Sequence, residues 1–304
     1  MNASRRDKFP YNNRMRRLLI VGCGDIGLRV ARELRGRWRI YALTRSESRS
    51  ESLRSLGIVP VVGDLDRPET LDRLSGIAQD VVHLAPPPGS GARDTRTASL
   101  IRALTRRGSL PQRFVYISTS GVYGDCAGAL IDECRPLKPG TDRARRRVDA
   151  ERGLRAWGAD SGVHVAVLRV PGIYSAERLP LRRLKAGTPA LVGEQDPYTN
   201  HIHAEDLSRI VIAALNRGKA GRAYNASDDS TIRMGEYFDL VADRFGLPHP
   251  PRVSWEEARN SIPENLLSFM RESRQLGNRR LKRELRVRLR YPSVVQGLSA
   301  AGGS

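Results

Sequence analysis

Apolar residues in the first half of the chain fall in short unbroken runs, separated by stretches of helical period. The run Arg17–Val21 predicts a strand ending at Gly22, and Asp25–Leu34 then repeats apolar residues at helical spacing. Arg39–Leu43 predicts a second strand, Ser52–Leu56 the end of a helix, and Ile58–Asp64 a third strand with its turn. Pro68–Leu74 reads as a helix with proline in its first turn. Asp80–Ala85 predicts a fourth strand, closed by Pro86-Pro87-Pro88-Gly89. A helix over Thr95–Arg107, a strand over Arg113–Ser118, a helix over Thr141–Trp157 and a strand over Val163–Arg169 continue the alternation. Parallel strands need crossovers, and strands covered on both faces are apolar throughout. The pattern therefore predicts an α/β fold: a doubly wound parallel sheet of Rossmann type.

After Pro171-Gly172 the regular alternation stops. Tyr174–Asn200 is rich in glycine, proline and charge, followed by a helix over His203–Asn216, a strand over Gly221–Asn225 and a helix over Met234–Phe245. Arg271–Arg290 carries Leu281, Leu285 and Leu289 at intervals of four among many arginines, predicting a helix with one apolar stripe and a basic surface. The expected division is a basic disordered lead-in over 1–16, a dinucleotide-binding domain over 17–172, a small C-terminal substrate-binding lobe over 173–298 partly interleaved with the sheet, and a disordered tail over 299–304.

A length of 304 residues, with 39% hydrophobic and 28% charged residues, excludes disordered, collagen-like and disulfide-rich classes. Cys23, Cys126 and Cys134 have no metal-ligand spacing, so no structural metal and a reducing, cytoplasmic setting are expected. The longest apolar run is far below the ~20 residues of a membrane span, and Met1–Arg17 lacks the apolar core of a secretory signal. The formal charge of +19 raises nucleic acid as a partner through counterion release. Its arginines are spread along the whole chain, which favours a solvated basic surface over a built groove.

Gly22-Cys23-Gly24-Asp25-Ile26-Gly27 matches G-x-G-x-x-G between a strand and a helix, the context in which that motif means a dinucleotide site. Gly22 permits the tight turn, Gly24 lets the backbone approach a pyrophosphate, and Gly27 allows close packing of helix on strand. The free N–H groups at the start of that helix, at Asp25 and Ile26, face the anion. An acid at the end of the second strand would bind the ribose 2′-hydroxyl of NAD; Leu43-Thr44-Arg45-Ser46 offers hydroxyls and a guanidinium instead. NADP(H) is therefore favoured, with NAD(H) admitted, unless Arg45 points into solvent.

These residues resemble the extended and atypical branch of the short-chain dehydrogenase/reductase superfamily, the NAD-dependent epimerase/dehydratase-like proteins. Gly63-Asp64-Leu65 resembles the family turn whose Asp contacts adenine, and the Leu84-Ala85 end of the fourth strand resembles the segment lying along the cofactor. Tyr116-Ile117-Ser118-Thr119-Ser120-Gly121-Val122-Tyr123-Gly124 is similar to the strand end that carries the catalytic Ser/Thr, which implies that role for Thr119. Leu168-Arg169-Val170-Pro171-Gly172-Ile173-Tyr174 and Asn200-His201-Ile202-His203-Ala204-Glu205-Asp206-Leu207 resemble segments on the substrate side, implying Arg169, Asn200 and His203 as substrate residues. A lone histidine or acid at a helix start can equally be structural, as can His203 and Asp206 here.

The family's Tyr-x-x-x-Lys pair sets a proton donor and its partner on one helix face. No tyrosine here is followed four positions later by lysine; aligned on Glu151, Arg143 stands at the Tyr position and Arg147 at the Lys position. Arginine stays charged and cannot donate that proton. Tyr123 is a candidate substitute acid or a packing residue, Thr119 a substrate-orienting hydroxyl or a turn cap, and Arg147 a ligand for ribose or an acidic substrate group. The resemblance implies an NAD(P)-dependent oxidoreductase or epimerase, monomeric or dimeric, with a non-standard site and a small carbonyl, hydroxyl or sugar-linked substrate. A non-catalytic NADP-sensing or RNA-binding protein on the same fold is the alternative.

Overall fold

In chain order the first five strands are β1 (Arg16–Val21), β2 (Trp38–Thr44), β3 (Val59–Val62), β4 (Asp80–His83) and β5 (Arg113–Thr119). They alternate with the helices α1 (Asp25–Leu34), α2 (Ser48–Ser55) and α3 (Thr95–Thr105) in the computed structural model, which describes residues 15–300. Pro68–Leu74 winds as a 3₁₀ helix, whose three-residue turn puts Leu71 and Leu74 on one buried face. Next come β6 (Leu130–Ile131), α4 (Asp142–Ser161), β7 (His164–Val170), β8 (Gly172–Tyr174), α5 (Leu181–Lys185), β9 (Ala190–Leu191), β10 (Tyr198–Thr199) and β11 (His201–His203). The chain continues through α6 (Ala204–Arg217), β12 (Arg222–Asn225), β13 (Ile232–Arg233), α7 (Met234–Phe245) and β14 (Arg252–Val253). It ends with α8 (Trp255–Ser261), α9 (Glu264–Met270), β15 (Gln275–Leu276), α10 (Arg279–Glu284) and α11 (Val294–Ala300).

Seven strands form one sheet in the order β12-β7-β5-β4-β1-β2-β3, and every neighbouring pair is parallel. This is the doubly wound Rossmann-type α/β fold. Alternation along β1 splits the interior: Leu18 and Ile20 pack with α1 and α6 on one face, Leu19 and Val21 with α3 and α4 on the other. The strand order reverses between β1 and β4, which opens a crevice at their carboxyl ends. The C-terminal half contributes the edge strand β12 and three small two-stranded pairs, a fourth pair joins its β15 to β6, and a lesser core includes Tyr174, Phe238, Val241 and Leu298.

The expected lead-in and tail lie mainly in residues 1–14 and 301–304, outside the described residues. Within them, Arg16 belongs to β1, held by a fork onto the buried Asp80 at 2.8 and 2.9 Å, and Ser299 and Ala300 belong to α11. The long helix expected over Arg271–Arg290 is absent: only α10 is helical, with β15 before it. Arg286 takes φ +52, which ends helical winding after Leu285. The segment beyond is pinned outside any helix, because the buried Asp206 carboxylate accepts the backbone N–H groups of Arg290 and Tyr291.

Candidate active site

The turn after β1 is shaped by contact with the turn after β4. Gly22 has φ +90, and a Cβ there would lie 2.5 Å from Ala85 N, while Leu84 and Ala85 both donate to the Val21 carbonyl. Gly24 has φ −84, and a Cβ on it would meet nothing within 4 Å. It would project into open space at the start of α1. A Cβ on Gly27 would sit 3.1 Å from Ile20 Cγ2, so α1 lies hard against β1. Gly24 thus keeps free the backbone of a helix N-terminus, which fits the pyrophosphate of a dinucleotide.

A cavity of ≈ 410 Å³ extends from this cradle along the ends of β1 to β4. Of the residues picked from the sequence, Gly22, Gly24, Thr44, Arg45, Asp64, Leu65, Leu84 and Ala85 line it. Asp25, Ile26 and Gly27 do not: the Asp25 carboxylate is taken by Arg29 at 2.7 Å and Arg178 at 3.1 Å, and Ile26 is in the core. The sequence reading missed Arg49 and Arg96. Arg49 reaches back from α2 to the Cys23 carbonyl at 3.0 Å, beside Arg45 at the mouth; its spacing of four from Arg45 was the available signal. Arg96 pairs with Asp66 and donates to the carbonyls of Pro86 and Pro87, bracing the loop after β4. Burial pushes the Cys23 thiol up to about 11 against the opposing pull of Arg49, so it stays protonated at neutral pH.

A second cavity of ≈ 200 Å³ opens at the end of β5. Thr119 lines it and also caps the 3₁₀ turn Ser120–Tyr123, accepting from Gly121 N at 3.3 Å. That contact leaves its O–H free to donate. Asn200 lines the cavity with both ends of its amide engaged, donating to the Arg274 carbonyl and accepting from Leu276 N. Arg143, Tyr198, Phe269, Glu272 and Arg274 complete the wall; none was singled out as a site residue from sequence except Arg143, by alignment alone. Arg147 lines neither cavity: its Nη1 donates to the Tyr116 hydroxyl and the Ile117 carbonyl, both at 2.9 Å, and to the Ala85 carbonyl at 3.5 Å. Helix α4 contains neither tyrosine nor lysine.

Three expected site residues lie elsewhere. Tyr123 is 1% exposed; its hydroxyl donates to Asn225 Oδ1 at 2.7 Å and accepts from Arg169 at 2.9 Å, and burial pushes its pKa up to about 12. A phenol so engaged is no proton donor to either cavity. Arg169, 2% exposed, is not a substrate residue: it forks onto Glu151 at 2.8 and 3.2 Å, and Ser118 adds a third bond to that carboxylate. This buried tie joins β5, α4 and β7 beneath the site. His203 caps α6, accepting from Glu205 N, with its ring 4.0 Å from that of Tyr291; burial pulls its pKa below the ordinary histidine range. His83 is buried in β4, and burial pulls it down to about 3. Among the described residues no cluster of His, Cys, Asp or Glu could hold a metal, and no helix is long and apolar enough to cross a membrane.

Comparison with known proteins adds four findings. The family model described as the NAD dependent epimerase/dehydratase family matches residues 18–227. A dTDP-glucose 4,6-dehydratase of Streptomyces griseus is 27% identical over 60% of this chain, a match that spans 57% of that relative's length. A quinoline-1-oxide ketoreductase of Stigmatella aurantiaca is 25% identical over 77% of this chain and 74% of its own. The solved structure of a functionally unknown conserved protein from Silicibacter pomeroyi has a TM-score of 0.79 and 29% identity, covering 94% of this chain and 98% of that one.

Proposed function

This chain belongs to the NAD-dependent epimerase/dehydratase family, and from that premise we propose that it is an NADP(H)-dependent oxidoreductase or epimerase acting on a small carbonyl or hydroxyl substrate. The observation that carries the cofactor choice is the pair Arg45 and Arg49 at the mouth of the first cavity. Among the described residues the only carboxylate lining that cavity is Asp64, on the β3 side, so none lines it at the end of β2 to oppose a 2′-phosphate. Gly24 supports the pyrophosphate subsite by leaving the α1 N-terminus bare.

When bound, the nicotinamide supplies or accepts a hydride. The chain's own groups would do the rest. Arg147, braced against the ends of β4 and β5, would orient the cofactor's ribose. Thr119 would donate its O–H to the substrate oxygen. At the position where relatives are expected to carry the proton donor, Arg143 offers a fixed positive charge to the substrate and no proton. The proton is assigned to the phenol of Tyr198, the only tyrosine lining this cavity among the described residues.

Parallel titrations with NADPH and NADH test the reading. Wild type should prefer NADPH, and Arg45→Ala should cut that preference by about tenfold, the scale of one charged hydrogen bond. Once a substrate is in hand, Thr119→Val and Tyr198→Phe should abolish turnover and leave NADPH affinity unchanged. Equal affinity for the two cofactors in both proteins would refute the NADP assignment, and binding of neither would refute the oxidoreductase.

A further inference from the structure

The wall of the second cavity holds a guanidinium that no carboxylate pairs among the described residues. Arg143 makes no ion pair or hydrogen bond among the described residues; its guanidinium lies 4.2 Å over the ring of Phe269, which is 49% exposed. Stacking engages the flat face of the fork and leaves its N–H edges free. The arginines beside it on α4 are already committed, Arg146 to the Gly89 and Gly91 carbonyls and Arg147 as described above. Glu272, the one carboxylate in the wall, is held by Arg274 at 3.0 Å. Arg274 lines the same cavity, is 8% exposed, and its Nε is buried without a hydrogen-bond partner.

Two guanidiniums and one carboxylate leave the cavity with one uncompensated positive charge. Burial holds Arg143 below the ordinary arginine range, with Arg146 and Arg147 pushing the same way and Glu272 opposing. A matching anion would relieve that cost. The volume of ≈ 200 Å³ falls below the ~300–1,000 Å³ of clefts for drug-sized ligands, which suits a few carbon atoms and not a nucleotide-linked sugar.

We infer that this cavity takes a small monocarboxylate, gripped through its carboxylate by the fork of Arg143. A planar carboxylate matches that fork in two parallel bonds, and a single negative charge balances the wall. A phosphate dianion would overshoot it. The inference rests on the reading of this cavity as the substrate site, and it makes the substrate an acid such as a small oxo- or hydroxycarboxylate.

The test uses the full chain saturated with NADP⁺, so that the anion-binding start of α1 is filled. Oxamate is titrated against oxamide, its neutral near-isostere, and against inorganic phosphate, with NADP⁺ affinity measured on the same samples. Oxamate should bind saturably and oxamide about tenfold or more weakly; Arg143→Gln should weaken oxamate by about ten- to a hundredfold, and Arg143→Lys by less, with NADP⁺ affinity unchanged. The inference is overturned if wild type fails to bind oxamate, if oxamide or phosphate binds as well, or if Arg143→Gln binds oxamate like wild type. Failure of NADP⁺ to bind at all would strike the cofactor reading instead, so the two failures are distinct.

Discussion

Two glycines two residues apart should respond oppositely to the same methyl group. At Gly24 the backbone has φ −84, open to any L-residue, and an added Cβ meets nothing within 4 Å. Alanine is somewhat poorer than glycine as a helix N-cap but loses less chain entropy on folding, so Gly24→Ala should stay within about 1 kcal/mol of wild type. At Gly22 the φ of +90 costs an alanine about 1–2 kcal/mol, and the new Cβ would lie 2.5 Å from Ala85 N and 2.7 Å from Ala85 Cα. Those atoms are backbone in a turn bonded to the Val21 carbonyl and cannot swing away, which adds about 1–3 kcal/mol of overpacking. Gly22→Ala should therefore lose roughly 2–5 kcal/mol. Cofactor affinity behaves differently. A methyl group on Gly24 holds a phosphate oxygen at carbon contact distance of about 3.5 Å, not the 2.9 Å of an N–H donor. Losing one or two charged hydrogen bonds at about 1.5–3 kcal/mol each weakens NADPH at least about tenfold. Urea unfolding and NADPH fluorescence titration on both variants give the comparison. Unchanged NADPH affinity in Gly24→Ala, or wild-type stability in Gly22→Ala, would refute the reasoning.

Two further outcomes follow from buried charge. Arg169→Met leaves the fully buried Glu151 carboxylate with only Ser118 and the more distant Arg155 at 3.6 Å, and should cost about 3–5 kcal/mol, lowering Tm by on the order of 10 °C while sparing NADPH affinity measured well below Tm; a loss under about 1 kcal/mol would disprove the structural role. Asp228 is 3% exposed, and burial, helped by Asp229 and Asp206, raises its carboxyl from 3.8 to about 7. The folded state thus holds a proton that the unfolded state releases between those values, so stability is lost as pH rises. Relative to Asp228→Asn, wild type should lose stability as pH rises from about 4 to about 7, and a flat difference across urea melts in that window would contradict the assignment.

What the chain alone determined is what lies within one element or one turn. The apolar runs at Leu18–Val21 and Val81–Val82 become central strands because a strand buried on both faces needs apolar residues at every position. The glycine turn is local for the same reason: within six residues, Gly22 has φ +90 against Ala85, a Cβ on Gly24 would meet nothing within 4 Å, and Gly27 packs against Ile20. The leucine spacing at 281, 285 and 289 misled, because Leu281 lies in α10 and Leu289 outside any helix, next to backbone that the buried Asp206 over 80 residues away holds. Side-chain destinations were likewise set by distant partners. Arg169 and Tyr123 look like site residues beside the motif, yet Glu151 and Asn225 draw them into the interior. Arg143 meets Phe269, and Asn200 meets Arg274 and Leu276, across separations of about 75 to 130 residues that no local pattern encodes. Tertiary structure alone decided the second cavity, because its charge balance depends on which guanidiniums find partners once the chain has closed.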